Sequence, residues 1–199
     1  VYTRKFVDAL VDAEPDRLPV HLKIDTGMQR VGAHPYAVAA LVAWRLVTPQ
    51  TGQPARWTAA QFSADGRSVF ALSDRDSEVT RVWKHNLASG AWTPVSEEGV
   101  GVEAFSVSPV GSLIAVVADR GATSELQLVD ANTRTPRRVP GIPPGIIWNV
   151  SWHGSGTALA IEFAGARTFR DVYVVDVKSG GVERWTTSEM GGVSQDSLP

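Results

Sequence analysis

The sequence predicts a mainly β protein: a partial β-propeller of about three four-stranded antiparallel blades, preceded by a short α/β (helix-strand-helix) segment. Three observations lead there. Gly66, Gly111 and Gly156 stand 45 residues apart in the turn-like stretches FSADGRS, VSPVGSL and HGSGTAL. Asn86, Asp130 and Asp176 close VWKHN, LQLVD and YVVD at spacings of 44 and 46 residues. Thr48-Pro49 returns 45 residues later as Thr93-Pro94. Four strands in each period of about 40–50 residues is the arithmetic of a propeller blade.

Each repeat holds four short segments rich in Val, Ile, Leu, Phe and Trp, separated by turn residues. The first unit reads WTAAQFS, SVFALSD, TRVWKHNL and WTPVS. The second reads VEAFSVS, LIAVVAD, SELQLVD and PRRVP, and the third IWNVSWH, ALAIEFA, DVYVVDV and VERWTT. Before the repeats the period is helical. TRKFVDALVDA sets Phe6, Val7, Leu10 and Val11 on one stripe, VHLKI is a short buried strand, and HPYAVAALVAWRL is a second helix. In that second helix Pro35 suits the first turn, and Val38, Leu41 and Val42 face inward. The expected division is residues 1–46, a barrel fragment, and residues 47–199, the propeller.

Composition narrows the function classes. The chain has 199 residues, 43% of them apolar, enough for a real core, and a formal net charge of −2. That charge argues against nucleic acid or an anionic membrane as a partner. No apolar run approaches the roughly 18–20 residues of a membrane helix. With no cysteine, disulfides, thiolate metal sites and a cysteine nucleophile are excluded. Val1 is followed by no basic-then-apolar leader, and the compartment stays open between cytoplasm and periplasm.

FSADGRSVFALSDRDSEVTRVW and DVYVVDVKSGGVERWTTSEMGG resemble the propeller of the prolyl-oligopeptidase family of serine peptidases. The resemblance spans about residues 47–199. It implies a two-part enzyme in which a propeller covers an α/β-hydrolase domain, which follows it and supplies serine, acid and histidine. The expected role here is then non-catalytic: to scaffold a peptidase site and gate entry to it. The implied partners are an α/β-hydrolase domain, a peptide substrate, or further copies of the chain meeting through open propeller ends.

HLKIDTGMQRVG, His21 to Gly32, resembles a string in the barrel of alanine racemase, and that resemblance covers about residues 1–46. It implies that Arg30 donates to the phenolic oxygen of pyridoxal phosphate and that Lys23, often carbamylated in that family, steadies the arginine. A cation there would tune the cofactor's electronics. A complete barrel needs about 200–250 residues, and the family's Schiff-base lysine and catalytic tyrosine lie in regions that this stretch does not include. Lys23 and Arg30 are therefore read as idle, with no cofactor expected. A pyridoxal-phosphate racemase is one alternative function, and a stand-alone propeller that binds a protein partner is another.

Other candidates read as structural. Ser155 in WHGSG is a serine among glycines, but G-x-S-x-G is missing and the 45-residue register puts it in the same turn as Asp65 and Val110. His21, His34, His85 and His153 show no metal-ligand spacing. Asp74, Asp76 and Glu78 lack the calcium-loop pattern and enclose Arg75. Arg134, Arg137 and Arg138 make a basic patch too small for nucleic acid. Trp57, Trp83, Trp148, Trp152 and Trp185 fall in strand segments and are expected to pack between blades.

Overall fold

A computed structural model describes residues 55–189 and 191–192. The chain divides into two units, Val1–Val47 and Thr48–Pro199. The described residues belong to the second. The expected helices, Lys23, Arg30, His21 and His34 lie outside them.

Twelve strands form three separate four-stranded antiparallel sheets. The first blade is β1 (Trp57–Phe62), β2 (Ser68–Ser73), β3 (Arg81–Asn86) and β4 (Trp92–Pro94). The second is β5 (Val102–Val107), β6 (Leu113–Asp119), β7 (Ser124–Asp130) and β8 (Pro136–Arg138). The third is β9 (Gly145–Trp152), β10 (Ala158–Gly165), β11 (Thr168–Asp176) and β12 (Val182–Arg184). In every sheet the strands lie side by side in chain order. The first strand of the second blade, β5, lies beside both β1 of the first blade and β9 of the third. This is the predicted partial propeller, with each strand on its predicted segment.

The sequence markers are turn chemistry. Gly66, Gly111 and Gly156 have φ of 67°, 70° and 72°, a left-handed conformation that a Cβ penalises. At the β3–β4, β7–β8 and β11–β12 hairpins the Asn86, Asp130 and Asp176 side chains accept the backbone N–H groups of Ser89, Thr133 and Ser179. The residue that turns left-handed just after is Gly90, Arg134 or Gly180. Local side-chain bonds of this kind fix where a strand stops.

Alternation then sorts the strand residues into two faces. We call forward the face of a blade turned towards the next blade in sequence. Phe70, Leu72, Val82 and Val95 on the forward face of the first blade meet Phe105, Ile114, Val116 and Val129 of the second. Ala115, Val117, Leu126, Leu128 and Val139 on the forward face of the second meet Ile147, Val150, Leu159, Ile161, Phe163 and Val175 of the third. Each fully buried Leu, Ile or Phe stabilises by about 1.5–3 kcal/mol. Polar anchors add to this packing. The Gln61 side chain donates to the Phe105 carbonyl and accepts from Val107 N–H, and the Trp152 indole donates to the Ser106 carbonyl at 2.8 Å.

Candidate functional site

The innermost strands carry a recurrent irregularity. Pairing slips between Val102 and Ala104 in β5, which leaves out Glu103, and between Ile147 and Asn149 in β9, which leaves out Trp148. A bulge re-aims the extra side chain. In the second blade Glu103 accepts from the Ser124 hydroxyl, and that hydroxyl accepts Ile147 N–H of the third blade. The matching pair in the third blade is Trp148 and Arg170, where the guanidinium lies 5.0 Å from the indole centroid. Arg170 also pairs with Glu162 at 2.8 Å. Beside them the β10–β11 hairpin forms an open groove of about 480 Å³, lined by Trp148, Ala164, Gly165, Thr168, Phe169 and Arg170.

The rest of the third blade's forward face follows from the repeat. Val95, Val139 and Trp185 are equivalent, since their N–H groups donate to the carbonyls of Val82, Leu126 and Val172. Val95 and Val139 are 3% and 4% exposed, whereas Trp185 is 66% exposed. Of the five tryptophans expected between blades, Trp152 bridges two, whereas Trp148, 57% exposed, and Trp185, which also falls just past β12, depart from that expectation. The reason is positional. Both lie on the one forward face that no further blade covers among the described residues. Trp83 is buried, Trp57 stacks on Trp92 at 4.3 Å, and Trp152 bridges two blades.

The other candidates fall to structural work. The Ser155 hydroxyl sits 2.7 Å from His153 Nδ1 and 2.7 Å from the Thr157 hydroxyl, all inside one turn. Its equivalents do the same, with Asp65 held by Ser63 and Arg67 N–H and the Val110 carbonyl held by the Ser108 hydroxyl. No carboxylate completes a catalytic set at Ser155 in any of these bonds. His85 is a core residue stacked 4.5 Å from Trp92. In the β2–β3 loop Asp74 accepts Arg56 N–H and Asp76 pairs with Arg75. No group of His, Asp or Glu that could hold a metal occurs among the described residues. The basic patch is dispersed: Arg137 donates to the Val177 carbonyl, and Arg138 pairs with Glu125.

Sequence reasoning missed Asp171. It is fully buried in β11, pairs with Arg184 and accepts Ser188 N–H at 2.6 Å. Burial pushes its carboxyl up, but Ser188 and Arg184 outweigh burial and hold it below the usual range. The equivalent Glu125–Arg138 pair in the second blade was the available signal.

By its fold the described part is a partial β-propeller. It is similar to a prolyl endopeptidase at 19% identity and TM-score 0.61, over 76% of this chain and 22% of that one. It is similar to a puromycin hydrolase at 21% identity and TM-score 0.61, over 72% of this chain and 22% of that one. A protein assigned as TolB from Agrobacterium tumefaciens matches at 22% identity and TM-score 0.57, over 70% of this chain and 51% of that one. The chain thus spans about a fifth of the length of the two hydrolases. Residues 1–51 match the family model for the alanine racemase N-terminal domain. No curated protein matches the chain.

Proposed function

We propose that residues 47–199 are a non-catalytic propeller portion of a prolyl-oligopeptidase-like serine peptidase, which scaffolds a hydrolase domain and limits which substrates reach it. The observation that carries this reading is the three-blade register combined with a likeness in fold to a prolyl endopeptidase and a puromycin hydrolase. The candidate nucleophile Ser155 is engaged in a blade turn, which fits a non-catalytic part. The test has two arms. An active-site serine probe should fail to label the chain. A prolyl endopeptidase whose matching blades are replaced by residues 55–189 should cleave short peptides and spare long ones. Labelling that disappears on Ser155→Ala, or equal cleavage of short and long substrates, overturns the proposal.

The match of residues 1–51 favours a racemase ancestry for the N-terminal segment. Among the described residues the lysines are Lys84, which reaches Asn132 on the blade surface, and the exposed Lys178. Lys23 and Arg30 are proposed to be idle. Saturable cofactor binding that Arg30→Ala abolishes would reverse that assignment.

A further inference from the structure

The repeat puts different side chains at equivalent places in the two seams between blades. Asp65, Ser68 and Lys84 of the first blade correspond to Val110, Leu113 and Leu128 of the second. In the seam between the second and third blades, Leu113 and Leu128 pack into the core. Val110 there sits so close over Gly156 that an added Cβ would strike it. In the seam between the first and second blades, the Asp65 carboxylate turns back to the Ser63 hydroxyl and Arg67 N–H of its own turn. A Cβ added at Gly111 would meet nothing within 4 Å. A groove of about 430 Å³ opens at this place, lined by Asp65, Ser68, Phe70, Lys84, Gly111 and Asn132. Its walls are the strands and turns of two consecutive blades, so its existence does not depend on where the chain stops.

The polar groups of the groove are only partly used. The Lys84 ammonium has three donors. One reaches Asn132 Oδ1 at 3.3 Å, and the nitrogen lies 6.0 Å from the centroid of the Phe70 ring. Among the described residues no carboxylate pairs with Lys84. Asp65 is engaged in its own turn, and Asp130 by the Ser112 hydroxyl and the N–H groups of Asn132 and Thr133. Ser68 is only 5% exposed, and its N–H and carbonyl are bonded to Ser63. Its hydroxyl makes no hydrogen bond among the described residues. A polar group left unpaired at such burial costs stability. Lys84 pairs with Phe70 across the β2–β3 ladder, which sets Ser68 on its diagonal, roughly 7–8 Å away on the same face.

We infer that this groove binds a monocarboxylate with a short apolar tail, the carboxylate between Lys84 and Ser68 and the tail against Phe70. A carboxylate accepts from both the ammonium and the stranded hydroxyl. One ammonium matches one negative charge, and Asp65 in the groove wall disfavours a dianion such as phosphate. The same chemistry is offered by a free acid and by the C-terminus of a peptide. The inference stands independently of the peptidase reading.

The experiment is an NMR titration of the isotope-labelled full chain with sodium hexanoate, with hexanamide and inorganic phosphate as comparisons. Hexanoate should move the backbone signals of Ser68, Lys84, Gly111 and Asn132 along one saturating curve, and neither comparison should. Lys84→Leu, which copies Leu128, and Ser68→Ala should each weaken binding about tenfold, the equivalent of one charge-assisted hydrogen bond. Lys178→Leu, at an exposed position on the third blade, should leave it unchanged. Asp65→Val, which copies Val110, separates a groove from diffuse attraction. It should abolish binding by covering Gly111, whereas the loss of a negative charge would strengthen diffuse attraction of an anion. N-acetyl-leucyl-leucine, with its C-terminus free or amidated, assigns the source. If the free form binds more tightly than hexanoate and the amide does not bind, the site takes a peptide end; if hexanoate binds more tightly, it takes a free acid. Shifts that never saturate, an equal response to hexanamide or phosphate, or binding that survives Lys84→Leu or Asp65→Val overturns the inference.

Discussion

The buried Asp171 carboxylate pairs with the Arg184 guanidinium across the two outer strands of the third blade. It also accepts Ser188 N–H and the Thr186 hydroxyl, so one carboxylate ties down the chain that leaves β12. A buried charge is tolerated only when it is paired and hydrogen-bonded. Asp171→Ala removes the buried carboxylate that holds Arg184, Thr186 and Ser188 and releases that segment, and should cost about 2–4 kcal/mol in urea unfolding. Glu125→Ala frees the largely exposed Arg138, removes one of the carboxylates that hold Arg120 and leaves the buried Gln127 amide short of an acceptor, and should cost about 1–2 kcal/mol.

Acid should unfold the blades through their aspartates. Asp171 is held below the usual range by Ser188 and Arg184 against the opposing effect of burial. Asp65 is lowered by the Ser63 hydroxyl, Asp130 by the Ser112 hydroxyl, and Asp176 by Ser179 N–H. Each folded pKa lies below its unfolded value. The stability they contribute is therefore complete above the unfolded value and is lost as pH falls below about 4 through the folded values. The unfolding midpoint in urea should be flat from pH 8 to about 5 and then drop. A midpoint that rises on acidification would contradict this.

Arg134 adopts φ of 60° at the position where the other two blades have Gly90 and Gly180. Arg134→Gly should stabilise by about 0.5–1 kcal/mol, the relief of left-handed strain less the extra freedom of the unfolded chain. Gly180→Ala should cost about 1–2 kcal/mol. Its new methyl would meet Pro140 only at ordinary contact distance, so the cost reads the backbone alone. Thermal unfolding of the two variants checks both signs.

The Trp152 indole is a polar clasp between the second and third blades. Trp152→Phe keeps a ring and removes the donor, leaving the Ser106 carbonyl short of one bond. A loss of about 1 kcal/mol with an unchanged denaturant slope is expected. A change in slope would show instead that the blades had begun to unfold separately.

All twelve strands were legible because each is bounded by a residue with local turn chemistry, such as Gly66 or Asp130, whose effect needs no distant partner. The identity of a strand's neighbour was not legible. Trp152 and Trp185 both follow apolar alternation, yet one is bonded between blades and the other is exposed. Alternation assigns a face, and only the third dimension says whether a sheet lies against it. Asp171 was hidden for a related reason: a charge in a strand reads as solvent-facing until an arginine 13 residues further on is seen to close over it.

Three separate hydrogen-bonded sheets, joined mainly by side chains, also set how the protein yields under load. A ladder must be sheared open bond by bond, whereas a face of valine and leucine can be peeled away. Pulled from its two ends, the propeller should pay out chain in equal lengths. Each length is the 45-residue period, or roughly 150 Å at about 3.3–3.6 Å per extended residue.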